Sequence, residues 1–333
     1  MLDERWSEDV EEIASALRKM LEVESSPQRV RAAEEGAQGR DEGLEARLRD
    51  FGLEELRGDA DLFARVAYEL GRSLASTTTV ETLAVLALTG QAGVALAFDG
   101  PVPGGARKVA VRRADGVYVE ALRGQPRRTA AGDALVTHEP GSGGDRLGDL
   151  VLADRLQRFA SLTEAARLVG AGQALLRYGV GYVNERKQFG KLIGAYQGVA
   201  HRMARVAGDL DAAELLVRKA AFSALPQAGG DGAPAPAFAR MVRAKAIEAA
   251  RSAATNVHQV FGGNGFAMEY DVQLYSRRIR SWALRCPRGG QDLVELARLV
   301  LDPARRDALR LMWHYDQGMP LPRWAAESDR PAA

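Results

Sequence analysis

Two short stretches carry residue types suited to gripping an anion. In "YVNERKQFGK" (182–191), Arg186, Gln188 and Phe189 fall together just before Gly190. A guanidinium offers a planar fork of donors matched to phosphate oxygens. Gln188 adds a neutral donor and acceptor, and Phe189 a flat apolar face for a purine or flavin. In "HQVFGGNGF" (258–266), Gly262, Gly263 and Gly265 come nearly in sequence, where one glycine suffices to end a helix. Glycine permits positive φ and close approach, and aligned backbone N–H groups at such a turn cradle anions. The competing reading is two ordinary helix ends, with Glu185, Arg186 and Lys187 in water, Phe189 in the core and Gly190 as the stop. The cluster is not a dinucleotide fingerprint, because no strand precedes it and GxGxxG is absent.

The elements that must position these residues follow from periodicity. Residues 1–90 predict an N-terminal helical domain. "SEDVEEIASALRKMLEVES" opens on Ser7 with Glu in its first turn and repeats Val10, Ile13, Leu17 and Leu21 at helical spacing. Within it, "SSPQRVRAAEEGAQGRDEG" (25–43) is charged and poor in large apolar residues, which predicts a mobile connection. Residues 91–149 predict a reduced β middle domain: "ARKVAVRR" and "GVYVEAL" alternate across an "ADG" hairpin, and "DALVT" offers a third strand. Residues 150–304 predict a C-terminal four-helix bundle with helices near 150–184, 191–225, 236–261, 270–284 and 290–303. A loosely attached tail (305–333) follows. The fold class is mainly α with a small β domain.

Bulk composition narrows the partners. Lys+Arg 45 against Asp+Glu 44 leaves a net charge of +1 over 333 residues, which argues against nucleic acid. One Cys, Cys286, excludes an internal disulfide and a cysteine zinc site, and His138, His201, His258 and His314 are scattered. His201 is expected to be a packed histidine without chemistry. No apolar run reaches membrane-spanning length, and the acidic N-terminus lacks the shape of a signal peptide. A soluble, cytoplasmic chain is expected.

The segment from Tyr182 to Ala213, with "AKAIEAARSAATNVHQVFGGNGFAMEYDVQLYSRRIR" after it, resembles the C-terminal domain of the acyl-CoA dehydrogenase family. Arg186-x-Gln188-Phe189-Gly190, then Ile193 and Gln197, then Gln259 through Phe266, stand in family order at family spacing. A weaker likeness covers 50–90. The resemblance implies helical, β and bundle domains, FAD, and α,β-desaturation of an acyl-CoA thioester with electrons passed to a separate acceptor. It also implies roles across a subunit interface: Arg186 on the FAD pyrophosphate, Gln188 beside it, Phe189 against the adenine, and Gln259, Gly262 and Gly263 lining the same end.

Other family features are missing. The base, a Glu before Gly and Thr or Ser, is replaced by the segment holding Arg285, Cys286 and Pro287. The alternative base position, at the start of the first bundle helix, is Ala160. Glu164, one turn later, is the single nearby candidate, against the plainer reading of an exposed helix charge. Cys286 is expected to be a packed thiol. The Trp-Ile-Thr strand that meets the flavin is absent, and "HEPGSGGD" (138–145) reads as a glycine-rich linker. The chain thus keeps the half-site that reaches into a neighbour and lacks the half that holds its own flavin. This resembles the short subunits of α2β2 actinobacterial acyl-CoA dehydrogenases acting on steroid side-chain CoA thioesters. It implies FAD shared with a longer partner of the same family in a heterotetramer. Two alternatives stand beside it: an inactive relative that assembles or regulates, and a homo-oligomeric enzyme using Glu164.

Overall fold

The computed structural model describes residues 6–36, 39–98, 100–285 and 289–301. Helices α1 (Glu8–Glu24), α2 (Pro27–Glu35), α3 (Glu42–Asp50), α4 (Ala60–Arg72) and α5 (Thr79–Thr89) come first. Ser7 caps α1, and Glu8, Asp9 and Glu11 occupy its first turn, where the helix dipole favours acids. Its apolar stripe buries Leu17 and Leu21 completely or nearly so.

The described residues of the stretch 25–43 are not a mobile connection. Ser26 caps α2 and Pro27 opens it, a placement where proline's missing N–H costs nothing. Val30 and Ala33 are buried, and the charges that suggested solvation have partners far along the chain. Glu34 accepts from Arg277 at 2.6 Å and from the fully buried Arg278 at 3.0 Å. Arg31 pairs with Asp271 at 2.7 Å, and Arg29 donates to Asp41 at 2.8 Å.

Seven short strands follow: β1 (Val94–Leu96), β2 (Val102–Pro103), β3 (Lys108–Arg113), β4 (Gly116–Ala121), β5 (Pro126–Arg128), β6 (Ala134–Val136) and β7 (Asp145–Gly148). They form a four-stranded sheet ordered β1-β3-β4-β7 and a three-stranded sheet ordered β2-β6-β5. The β3–β4 hairpin pairs Val111 with Tyr118 and Val109 with Glu120. The segment 138–145 is a folded loop, not a linker. The Gly141 amide donates to the buried Glu120 carboxylate at 2.8 Å, Arg113 donates to the Gly141 carbonyl at 2.9 Å, and Asp145 already belongs to β7.

The bundle consists of α6 (Leu150–Glu185), α7 (Gln197–Phe222), α8 (Pro236–Val260) and α9 (Val272–Leu284), with α10 (Gly289–Leu301) alongside. Helix α6 is its axis and packs on α4, α5, α7, α8 and α9. A buried Arg243–Asp292 pair at 2.6 Å fixes α10 to α8. His201 is exposed on α7, contrary to the packed position expected: the helix turns it away from the core face that holds Met203 and Val206. Cys286, Pro287, His314 and the segment 305–333 lie outside the described residues.

Candidate functional site

Helix α6 stops at Arg186, whose backbone turns extended with ψ 122. The chain then forms a tight hairpin of β8 (Lys187–Gln188) and β9 (Lys191–Leu192). Both tip residues have positive φ, Phe189 at 52 and Gly190 at 84, the pattern of a two-residue turn that continues the strand twist. For glycine this conformation is free; for phenylalanine it costs roughly 1–2 kcal/mol. The Phe189 ring is 93% exposed, so the core position of the plainer sequence reading is wrong. Among the described residues, this strained aromatic held in solvent has no packing role. The Tyr196 hydroxyl braces the tip, 3.1 Å from the Gln188 carbonyl and 3.2 Å from that of Phe189.

The glycine cluster lies beside this hairpin. Past the end of α8, residues Gly262–Phe266 make a 3-10 turn. Phe261 stacks on Tyr182 of α6 with ring centroids 4.0 Å apart. The Asn264 amide donates to the Tyr182 hydroxyl at 2.9 Å and lies 3.3 Å from that of Tyr270. These contacts fasten the end of α8 to the end of α6. His258 supports the turn from below, with Nδ1 2.9 Å from the Ser276 hydroxyl. Burial, and secondarily Arg280, push its pKa below the usual histidine value, so it is neutral at pH 7.

The three glycines serve different ends. A Cβ on Gly265 would lie 2.8 Å from the His258 ring, so the interior requires glycine there. Gly262 has φ +56, a backbone reason of its own. Gly263 has neither: its φ is not left-handed, and among the described residues a Cβ would meet nothing within 4 Å. Its bare surface faces open space.

Hairpin and turn enclose a groove of about 670 Å³. Arg186, Gln188, Phe189, Gln259, Gly262 and Gly263 all line it, so the structure brings together the six residues to which the resemblance gave a cofactor role, while Gly190 and Gly265 of the same motifs do not line it. Among the described residues, two arginines line the groove and no carboxylate does. The second is Arg202 on α7, which sequence reasoning missed together with Tyr196 and Asn264. Arg202 looks like any helix-surface cation until the fold sets it beside Arg186.

The proposed base positions lie elsewhere. Glu164 is about 33 Å from Arg186 along α6 at 1.5 Å per residue. It is half-buried and not the exposed charge expected, because α5 and the segment after β1 close over that part of α6. Glu164 and Ala160 share a cleft of only about 50 Å³ with Phe98, Arg167 and Arg285, whereas ligand pockets run to roughly 300 Å³ or more. Arg285, standing where the family's carboxylate is expected, pairs with Glu81 at 3.1 Å and with Asp133 at 2.7 Å. Glu81 also takes a 2.6 Å bond from Arg167. Burial pushes the Asp133 pKa up, but Arg285 and Arg278 outweigh it and hold the group below its ordinary value. A guanidinium cannot take up a proton. Among the described residues no cluster of three or more His, Cys, Asp or Glu could hold a metal ion, and no helix is long and apolar enough to cross a membrane.

The family model of the acyl-CoA dehydrogenase C-terminal domain matches residues 158–285. Acyl-CoA dehydrogenase FadE34 of Mycobacterium tuberculosis is 34% identical over 128 residues, 38% of this chain but only 18% of the relative's length. The ChsE4–ChsE5 complex from Mycobacterium tuberculosis superposes with a TM-score of 0.77 at 18% identity, covering 91% of this chain and all of that one. A steroid ACAD, the Tcur3481–Tcur3483 G363A variant, gives 0.75 at 20% identity, covering 88% and 99%. These likenesses extend the shared fold from the bundle to nearly the whole chain. Residues 158–285 thus match the C-terminal domain of the acyl-CoA dehydrogenases, and the chain as a whole has the acyl-CoA dehydrogenase fold.

Proposed function

We propose that this chain is one subunit of a heteromeric, FAD-dependent acyl-CoA dehydrogenase, supplying the clamp for the adenosine and diphosphate end of a flavin seated mainly in a longer partner. One observation carries this reading: the motif residues form an open groove, while the chain's own base position is closed by a salt-bridged arginine in a cleft too small for a thioester. The groove suits a diphosphate, since it is cationic, offers the bare surface of Gly263 for close contact, and presents the exposed Phe189 ring to a purine. Arg186 would hold the diphosphate, with Gln188 and Gln259 giving neutral hydrogen bonds and Gly262 and Gly263 lining the backbone side. When bound, FAD supplies a hydride acceptor. This chain's part is to hold and orient its remote end, and the partner supplies the carboxylate that takes the α-proton.

The substrate class we assign is an acyl-CoA thioester with a steroid side chain, handled in the cytoplasm by a heterotetramer that passes electrons to a separate acceptor. The motif resemblance and the two heteromeric structural neighbours support that choice. The test is to purify the chain alone and co-expressed with a longer family member, and to compare visible spectra and dye-linked dehydrogenase activity. The lone chain should be colourless and inactive, and the complex yellow and active with fewer flavins than chains. Stoichiometric flavin in the lone chain would refute the reading, and a colourless complex would favour an assembly or regulatory role.

A further inference from the structure

Arg202 sits on the second turn of α7, whose first turn also lines the groove through Gly198 and Val199. The positive end of that helix's dipole therefore faces the same space. Among the described residues the side chain is held by one hydrogen bond. Its Nη1 donates to the Asn256 side-chain oxygen Oδ1 at 2.7 Å, and Asn256 is fixed in turn by its Nδ2, which donates to the Ser252 backbone carbonyl at 2.9 Å and to the Ser252 hydroxyl at 3.1 Å. Elsewhere along the seam between α7 and α8, Lys245 meets the carboxylate of Asp209 at 2.9 Å and its charge is neutralised. At Arg202 the seam partner is a neutral amide. Among the described residues the guanidinium has no carboxylate partner, is steadied by that one bond, and has further N–H donors to offer.

A diphosphate carries two anionic groups, and Arg186, at the C-terminal end of α6, would answer one of them. We infer that Arg202 is the second phosphate ligand of the groove, pairing with the phosphate that Arg186 does not hold, while Asn256 is its positioning residue. This rests on the proposed function and names the residue that makes the grip specific for a diphosphate over a monophosphate.

The experiment uses the co-expressed complex stripped of flavin and titrated with FAD by fluorescence quenching at low and high salt. Arg202→Gln should weaken FAD binding by about 10- to 100-fold, the range for loss of a charge-assisted hydrogen bond, and make its salt dependence shallower. Arg202→Lys should recover part of the loss, and FMN, with one phosphate, should bind both forms alike. At saturating FAD the KM for the acyl-CoA thioester should not change. If Arg186→Gln loses FAD and Arg202→Gln does not, this inference fails and the proposed function stands. Should both variants bind FAD normally, the proposed function fails as well. A raised KM with normal FAD affinity would assign Arg202 to the diphosphate of coenzyme A and overturn the inference.

Discussion

Gly263 and Gly265 stand two residues apart in one turn, and alanine at each should have opposite consequences. At Gly265 the added carbon falls 2.8 Å from Cδ2 and Nε2 of His258, a ring hydrogen-bonded to Ser276 and unable to swing away freely. Overpacking of that kind costs roughly 1–3 kcal/mol. At Gly263 the carbon meets no atom within 4 Å. Removing glycine's freedom from the unfolded chain should then leave stability unchanged or raise it by about 0.4–1 kcal/mol. Urea unfolding of the lone chain measures both effects. Flavin retention by the co-expressed complex gives the second axis, on which Gly263→Ala should lose affinity because the methyl group intrudes where a ligand backs onto the turn. A Gly263→Ala complex that is stable and holds flavin as tightly as the wild type would show that nothing approaches that surface, and the clamp assignment would lose its best geometric support.

Phe189→Asn places a residue tolerant of the left-handed region at φ 52; the chain should gain up to about 1 kcal/mol while the complex binds FAD more weakly, read by melting and by titration. Arg285→Ala leaves Glu81 with Arg167 and Asp133 with the Ser281 hydroxyl, a partial loss that should cost about 3 kcal/mol, the low end for breaking a buried pair. Flavin content per folded complex should hold, because the groove is at the far end of α6. For pH, Asp61 is raised from 3.8 to about 6 by burial, with the Asp59 charge adding to it and Arg218 opposing. The folded state therefore favours the protonated form, so this group's favourable contribution is complete in acid and is lost as pH rises from about 4 through about 6. Asp61→Asn should be the more stable protein at pH 7, by at most about 3 kcal/mol, and the gap between the two urea midpoints should close near pH 4.

What could be read from the sequence was local. A helix that ends on Arg-x-Gln-Phe-Gly, and another that ends on a run of glycines, announce themselves within ten residues, because caps and turns depend on neighbours in the chain. The features that escaped depend on distance. Helix α2 looked like a solvated connection because its Glu34 answers Arg277 and Arg278, more than two hundred residues away. Glu164 looked like a surface charge because nothing in its own helix shows that α5 and the segment after β1 close over it. Arg202 looks like any cation of α7, because its place beside Arg186 and the Asn256 side chain that holds it are set by other helices.

The separation of the two ends of α6 is what gives the proposal its physical content. A flavoenzyme acting on an acyl thioester needs a proton acceptor within hydrogen-bond reach of the carbon whose proton it takes. In this chain the cationic groove and the position where such an acceptor is expected are about 33 Å apart along one rigid helix, and the second is filled by Arg285, held between two carboxylates. Opening that cleft would require breaking a buried ion network, whereas the groove is already open, charged and lined by a ring held in strain. A homo-oligomer would pair each groove with another closed cleft. A complementary subunit with an open cleft and a free carboxylate resolves the mismatch, and it predicts where a crosslink should form. A cysteine placed at Gln188 should trap the partner subunit in preference to a second copy of this chain, and trapping of like with like would place the groove against the wrong surface.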